Sequence, residues 1–259
     1  MNAFDRIAGR FEQHRPLPSH VPSAIRKALR QHSGIDSAAP ILEVGCGTGR
    51  IGSAFSVAGD NYLGVDLSLG MLRAFEEKDL GRRPLLVLAD GGVLPFGDRT
   101  FEAALMVHLT AARDWLALLQ EALRVLKRDG VLAIGRIEGH TDGVDERMRR
   151  RLNELIAGLG VTRRSPDRRA AGEWLATRCS RHVEIIAAEW TAERIPRAFI
   201  LRKESAPEFA SLPASTRETA LRSLADWAEQ SIGPLDTPLM ERHHFSLKLY
   251  WFEAAAKHE

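Results

Sequence analysis

The sequence predicts an α/β protein with a doubly wound, mostly parallel sheet, and three observations carry that expectation. Short β-rich runs alternate with helical patterns from residue 40 to residue 137. The first of these runs breaks into a glycine turn, with Gly45, Gly47, Gly49 and Gly52 inside eight positions. The strongest helical pattern, "DWLALLQEALRVLKRDG", stands directly before an apolar run, where a crossover helix belongs.

Taken in order, the strand candidates are "ILEVG" (41–45), "NYLGVD" (61–66), "PLLVLAD" (84–90), "FEAALMVH" (101–108) and "GVLAIGRIE" (130–138). "RIGSAFSVAG" and "SLGMLRAFEEK" lie between them; Ser68 is placed to cap the second, which would bury Met71, Leu72 and Phe75. In the long helix, Trp115, Leu119, Ala122 and Leu126 recur at helical spacing, Asp114 can cap the start, and Lys127, Arg128 and Gly130 end it. Beyond residue 138 the alternation loosens. "DERMRRRLNELIAGLG" is amphipathic, with Met148, Leu152, Leu155, Ile156 and Leu159 on one face, and "HVEIIAAEW" (182–190) reads as a strand. Ser215 with Glu218 forms a capping-box pattern ahead of a helix burying Leu221, Leu224, Ala228 and Ile232. The chain closes on a strand candidate, "RHHFSLKLYWF" (242–252).

Composition narrows the function classes. Hydrophobic residues at 44% and charged residues at 27% describe an ordinary globular chain. A net charge of +2 is too small to imply nucleic acid by itself. Two cysteines, Cys46 and Cys179, make neither a disulfide framework nor a metal-binding spacing. The first residues, "MNAFDRIAGRFEQHRP", lack the apolar core of a signal peptide, and no apolar run approaches the ~20 residues of a membrane span. The expected setting is cytoplasmic.

Glycine inside an element costs about 0.5–1 kcal/mol against alanine, so four together need a reason. A strand running into a glycine turn and then a helix lets a ligand touch backbone and meet the helix's first N–H groups. Gly47, Gly49 and Gly52 spell G-x-G-x-x-G, and Asp66 follows at the distance of a ribose-binding acid, so a nicotinamide-dependent oxidoreductase fits this loop taken alone.

The wider pattern points elsewhere. "EVGCGTG" (Glu43 to Gly49) resembles the first motif of the class I S-adenosylmethionine-dependent methyltransferases, and the resemblance continues in order to about residue 137. "GVDLSLGML" is similar to the acidic end of that family's second strand, "LADGGVLPFGDRTFEAALMVHL" to its third and fourth strands, and "EALRVLKRDGVLAI" to the approach to its fifth. "FDRIAGRFE" resembles the start of the ubiquinone/menaquinone-biosynthesis-like (methyltransferase type 11) small-molecule branch.

The resemblance implies a Rossmann-like, seven-stranded sheet with an antiparallel last strand, binding S-adenosyl-L-methionine and releasing S-adenosyl-L-homocysteine. It implies that Asp66 holds the ribose hydroxyls and Asp90 the adenine amino group, with Gly91 beside it. Gly45, Cys46, Gly47, Gly49 and Leu67 would lie against the cofactor, Met71 would face its adenine, and Phe11 would cover the cofactor. A Glu43 carboxylate aimed at the loop would suit the ammonium end of a phosphate-free cofactor and disfavour a pyrophosphate. His108, at the end of the fourth strand, would border the cofactor and is the candidate base, a histidine's ordinary pKa being about 6.5.

Methyl transfer from a sulfonium is a direct displacement that needs alignment more than acid–base groups, so the lack of a catalytic constellation does not oppose it. Residues 1–36 are expected as a helical cover, and residues 37–259 as the methyltransferase domain with cap pieces at 139–180 and 196–236 enclosing a small-molecule acceptor. A non-catalytic cofactor-binding protein is the other alternative. The arginines between 147 and 169 read as a solvated face, with no aromatic interleaved to stack a nucleic acid. Adjacent His243 and His244 would face opposite ways along a strand, and no metal is expected.

Overall fold

The computed structural model describes residues 17–109, 114–161, 168–204, 206, 209 and 212–252. Its strands are β1 (Ile41–Val44), β2 (Tyr62–Asp66), β3 (Leu85–Leu88), β4 (Phe101–Val107), β5 (Leu126–Gly139), β6 (Arg181–Arg194) and β7 (Leu239–Trp251). The helices are α1 (His20–Ser33), α2 (Gly52–Val57), α3 (Leu69–Glu76), α4 (Trp115–Val125), α5 (Val144–Gly158), α6 (Arg168–Ala176), α7 (Pro196–Glu204) and α8 (Ala214–Ser231).

All seven strands join one sheet in the order β3-β2-β1-β4-β5-β7-β6. The pairs β1–β2, β1–β4, β2–β3 and β4–β5 are parallel. β7 runs the other way: Gly135 faces Phe245 and Gly139 faces His243, so residue numbers on β5 and β7 move in opposite senses. It is antiparallel to β6 as well, because Ser180 N–H bonds Trp251 O while Ser246 Oγ bonds Glu184. The order reverses between β1 and β4, and such a switch point opens a crevice beyond the strands' C-terminal ends.

The described residues form two compact units. The first holds the chain to Ile137, α6, β6 to Ala188 and β7 from Phe245. Strand pleat sorts its core. Leu42 and Val44 of β1 pack on one face with Leu119, Ala122 and Val125 of α4 and Leu175 of α6. On the other face lie Phe55 of α2, Tyr62 of β2 and Phe75 of α3; Phe55 stacks on Tyr62 at 5.6 Å, and Phe55 and Phe75 are fully buried. Each such ring stabilises by about 1.5–3 kcal/mol through area removed from water. α1 packs on α2 and is pinned by Arg26, whose guanidinium makes two bonds, 2.6 and 2.7 Å, to the buried Asp60.

The second unit has its own core. Val144, Met148, Leu152 and Ile156 of α5 pack with Phe199 of α7 and with Ala220, Leu224 and Ala228 of α8. Leu159, expected on the buried face of α5, is 43% exposed just past the helix end.

Other expectations are also corrected. The long helix stops at Val125 rather than running to Gly130, because Leu126 turns extended (φ −74°, ψ 139°) and pairs with Phe101. The register then jumps from Phe101↔Leu126 to Ala103↔Val131, and the polar run 127–130 fills the irregularity. Asp114 occupies the N-cap of α4 without a capping hydrogen bond. Ser215 lies inside α8, whose N-cap is Pro213, so no capping box forms there. Ser68 does cap α3, accepting from Met71 N–H at 3.2 Å. Among the described residues no helix is long and apolar enough to cross a membrane.

Candidate functional site

Three glycines of the loop after β1 take a left-handed backbone: Gly45 (φ 71°), Gly47 (φ 55°) and Gly49 (φ 75°). Their surroundings differ. A Cβ on Gly45 would lie 2.8 Å from Leu109, one on Gly49 2.2 Å from Phe75, and one on Gly52 2.0 Å from the Tyr62 hydroxyl. A Cβ on Gly47 would meet nothing within 4 Å. This corrects the sequence reading, in which a ligand's approach explains all the glycines. The protein's own side chains demand three of them, and Gly47 alone faces open space.

Asp66, at the end of β2, holds that loop. One carboxylate oxygen accepts Gly47 N–H at 2.9 Å and the other accepts Ser68 N–H at 2.9 Å. The side chain therefore ties the glycine loop to the start of α3. Leu67, next along, is 58% exposed, an apolar surface beside a carboxylate. At the end of β3, Asp90 is exposed and accepts Gly92 N–H at 2.8 Å, closing an Asx-type turn. Gly91 packs against Val44 and Leu118, leaving no room for a side chain. His108 follows β4 directly, exposed and left-handed at φ 61°, with its N–H bonded to Gly135 O at 3.0 Å. Such a backbone costs a non-glycine residue about 1–2 kcal/mol and persists where surrounding structure imposes it. Gly47, Asp66, Leu67, Asp90 and His108 thus all sit at C-terminal ends of neighbouring parallel strands.

Three sequence-predicted side chains are buried. Glu43 falls at the β1 position that pleats toward α2, where it is 2% exposed and accepts the Tyr62 hydroxyl at 2.6 Å. Burial outweighs that hydrogen bond and pushes its pKa up to about 8, so at neutral pH it is chiefly protonated. It supplies no standing charge to the loop, contrary to the expectation that it would attract an ammonium group. Met71 is 3% exposed in the core of α3, not lining the crevice. Cys46 is also buried, its thiol pushed well up by burial, which makes it an inert filler against Gly64. Phe11 lies outside the described residues. Tyr62 was missed from sequence; its link to Glu43 depends on the Ile41↔Tyr62 register, which no local pattern reveals.

The adjacent histidines of β7 have different surroundings: His243 stacks on Trp190 at 5.8 Å, while His244 stands 3.6 Å from Glu138.

The sheet order and its switch point define a Rossmann-like, doubly wound architecture. Comparison with known proteins agrees: residues 42–134 match the family model described as "Methyltransferase domain". A demethylmenaquinone methyltransferase of Corynebacterium kroppenstedtii is 32% identical over 51% of this chain and 56% of its own length. The malonyl-[acyl-carrier protein] O-methyltransferase of Salmonella typhimurium is 31% identical over 51% of this chain and 50% of its own. The chain thus spans about half the length of the curated relatives it matches. The crystal structure of the YcgJ protein from Bacillus subtilis shares the fold, with a TM-score of 0.56, 18% identity and coverage of 90% of this chain and 99% of that one.

Proposed function

We propose that the protein is an S-adenosylmethionine-dependent methyltransferase acting on a small-molecule acceptor. The observation that carries this reading is the coincidence of the methyltransferase-domain match, residues 42–134, with the crevice bordered by Gly47, Asp66, Asp90 and His108.

The residues present suit that cofactor. Open space at Gly47 admits a ligand to the backbone, the Asp66 and Asp90 carboxylates offer acceptors for hydroxyl and amino groups, and exposed Leu67 offers an apolar face to a base. When bound, the cofactor supplies an activated methyl group that leaves from a positively charged sulfur. The chain's contribution is to fix direction and exclude water. Asp66 orders the glycine loop, and His108 stands where it can orient an acceptor or take its proton at a ring nitrogen. Acceptor selectivity is assigned to the segments 139–180 and 196–236.

Incubation with S-adenosylmethionine carrying a 13C methyl group and a panel of quinol, carboxylate and amine acceptors tests the reading. Label should pass to one acceptor class and be lost in His108→Ala. Turnover of a nicotinamide substrate without any methyl transfer would overturn it.

A further inference from the structure

The second unit carries a groove that methyl transfer does not account for. It lies along α5 and α8 and has two adjoining parts. One is a cavity of about 240 Å3 walled by Leu155, Leu159 and Ala220, with Ser223 at its side. The other, about 200 Å3, is walled by Arg147, Arg150 and Trp227. Arg151 and Glu154 line both, so one groove passes from a cationic end to an apolar end. Each part is open to solvent and smaller than the roughly 300–1,000 Å3 of enclosed small-molecule sites, which suits a slender chain lying along the surface.

Helical spacing builds the gradient. Arg147, Arg151, Leu155 and Leu159 follow at intervals of four, one stripe of α5 extended by its last turn, about 18 Å long at 1.5 Å per residue. Cations dominate the polar end. Arg147 donates to Ser231 O at 2.7 Å and stands 5.9 Å from the Trp227 ring. Arg150 donates to Thr141 O at 3.5 Å and stands 3.8 Å from Asp142, and its side chain is largely exposed. Arg151 pairs with Glu154 at 3.1 Å, yet its Nε is buried with no acceptor among the described residues. A buried donor is costly to leave without an acceptor, so this N–H is a donor the groove can offer to an anionic head. These arginines do not simply form the solvated face that the sequence suggests: Arg147 and Arg151 are half-buried.

We propose that this groove binds a small amphipathic anion, a medium-chain carboxylate whose head sits among Arg147, Arg150 and Arg151 and whose chain lies along Leu155 and Leu159. Glu154 competes with the ligand for Arg151. The proposal does not depend on the methyl-transfer reading.

Calorimetric titration of the full chain with decanoate, decanol and inorganic phosphate, alongside tryptophan fluorescence, tests it. Decanoate should bind saturably, at least tenfold more tightly than decanol or phosphate. Arg150→Glu, an exposed change that leaves the core intact, should weaken decanoate about tenfold. Ser223→Trp should block it, and Glu154→Gln should tighten it severalfold. Trp227→Phe should remove the fluorescence change. Absence of decanoate binding, equal binding of decanol or phosphate, or indifference to both Arg150→Glu and Ser223→Trp would overturn the proposal.

Discussion

Replacing Asp66 with asparagine keeps the side chain's shape and removes its charge, and the local geometry sets the size of the effect. Two backbone N–H groups, from Gly47 and Ser68, each reach a separate carboxylate oxygen at 2.9 Å. Asparagine has one oxygen, so one donor keeps a weaker acceptor and the other faces an NH2 group. A hydrogen bond to a charged acceptor contributes about 1.5–3 kcal/mol, and at this half-buried position the lower end applies. The expected loss is therefore about 1.5 kcal/mol. With a urea slope near 3 kcal/mol/M for a chain of this size, the midpoint should fall by about 0.5 M. The same change frees Gly47, the open position of the loop, so S-adenosylhomocysteine affinity should drop at least tenfold by calorimetry. An unchanged midpoint together with unchanged affinity would refute the account of Asp66 as organiser of the site.

Alanine at Gly49 should cost about 3 kcal/mol, combining left-handed strain with overpacking against Phe75, whereas alanine at Gly47 should cost only about 1–2 kcal/mol and still impair ligand binding. Thermal melts beside calorimetry would show the split, and equal melting of the two variants would contradict it. The raised Glu43 pKa gives a signed pH dependence: its contribution is complete below the ordinary carboxylate value of 4.5 and is lost as pH rises through about 8. Between pH 5.5 and 8.5 the melting temperature of the parent should therefore fall more than that of Glu43→Gln; parallel curves would place Glu43 in water. Glycine at His108 should relieve backbone strain by about 1 kcal/mol net of glycine's own entropy cost and raise the melting temperature by about 2–4 °C while cutting methyl transfer at least tenfold, and unimpaired transfer would remove His108 from the site.

The parallel half of the fold was legible because its strands are short, apolar and punctuated by glycines and acids. The ends of β1, β2 and β4 were placed within one residue. Helix α1 was expected only loosely, inside a helical cover without bounds of its own. Its three fully buried residues, Val21, Ile25 and Leu29, are spaced by four in a polar context, and its anchor Asp60 looks like any turn residue. Within the candidate site, the position of Asp66 at a strand end is legible from chain order, whereas its bonds to Gly47 and Ser68 are not. Glu43 was misread because motif order says nothing of pleat; the odd position on β1 turns it beneath α2 and against Tyr62. The glycines were read as one signal although φ and crowding separate them into a packing set and a single open residue. The arginines of α5 read together as one solvated face, because their groove depends on a second helix that sequence spacing cannot bring alongside.

The central claim is that the crevice beyond β1 and β2 takes S-adenosylmethionine. Competitive calorimetry on the purified chain, with S-adenosylhomocysteine titrated in the presence and absence of saturating NADH, tests it most directly. One molecule of S-adenosylhomocysteine per chain, bound equally tightly with or without NADH and at least tenfold more weakly after Asp66→Asn, is the predicted result. Tight NADH binding with no heat from S-adenosylhomocysteine would contradict it.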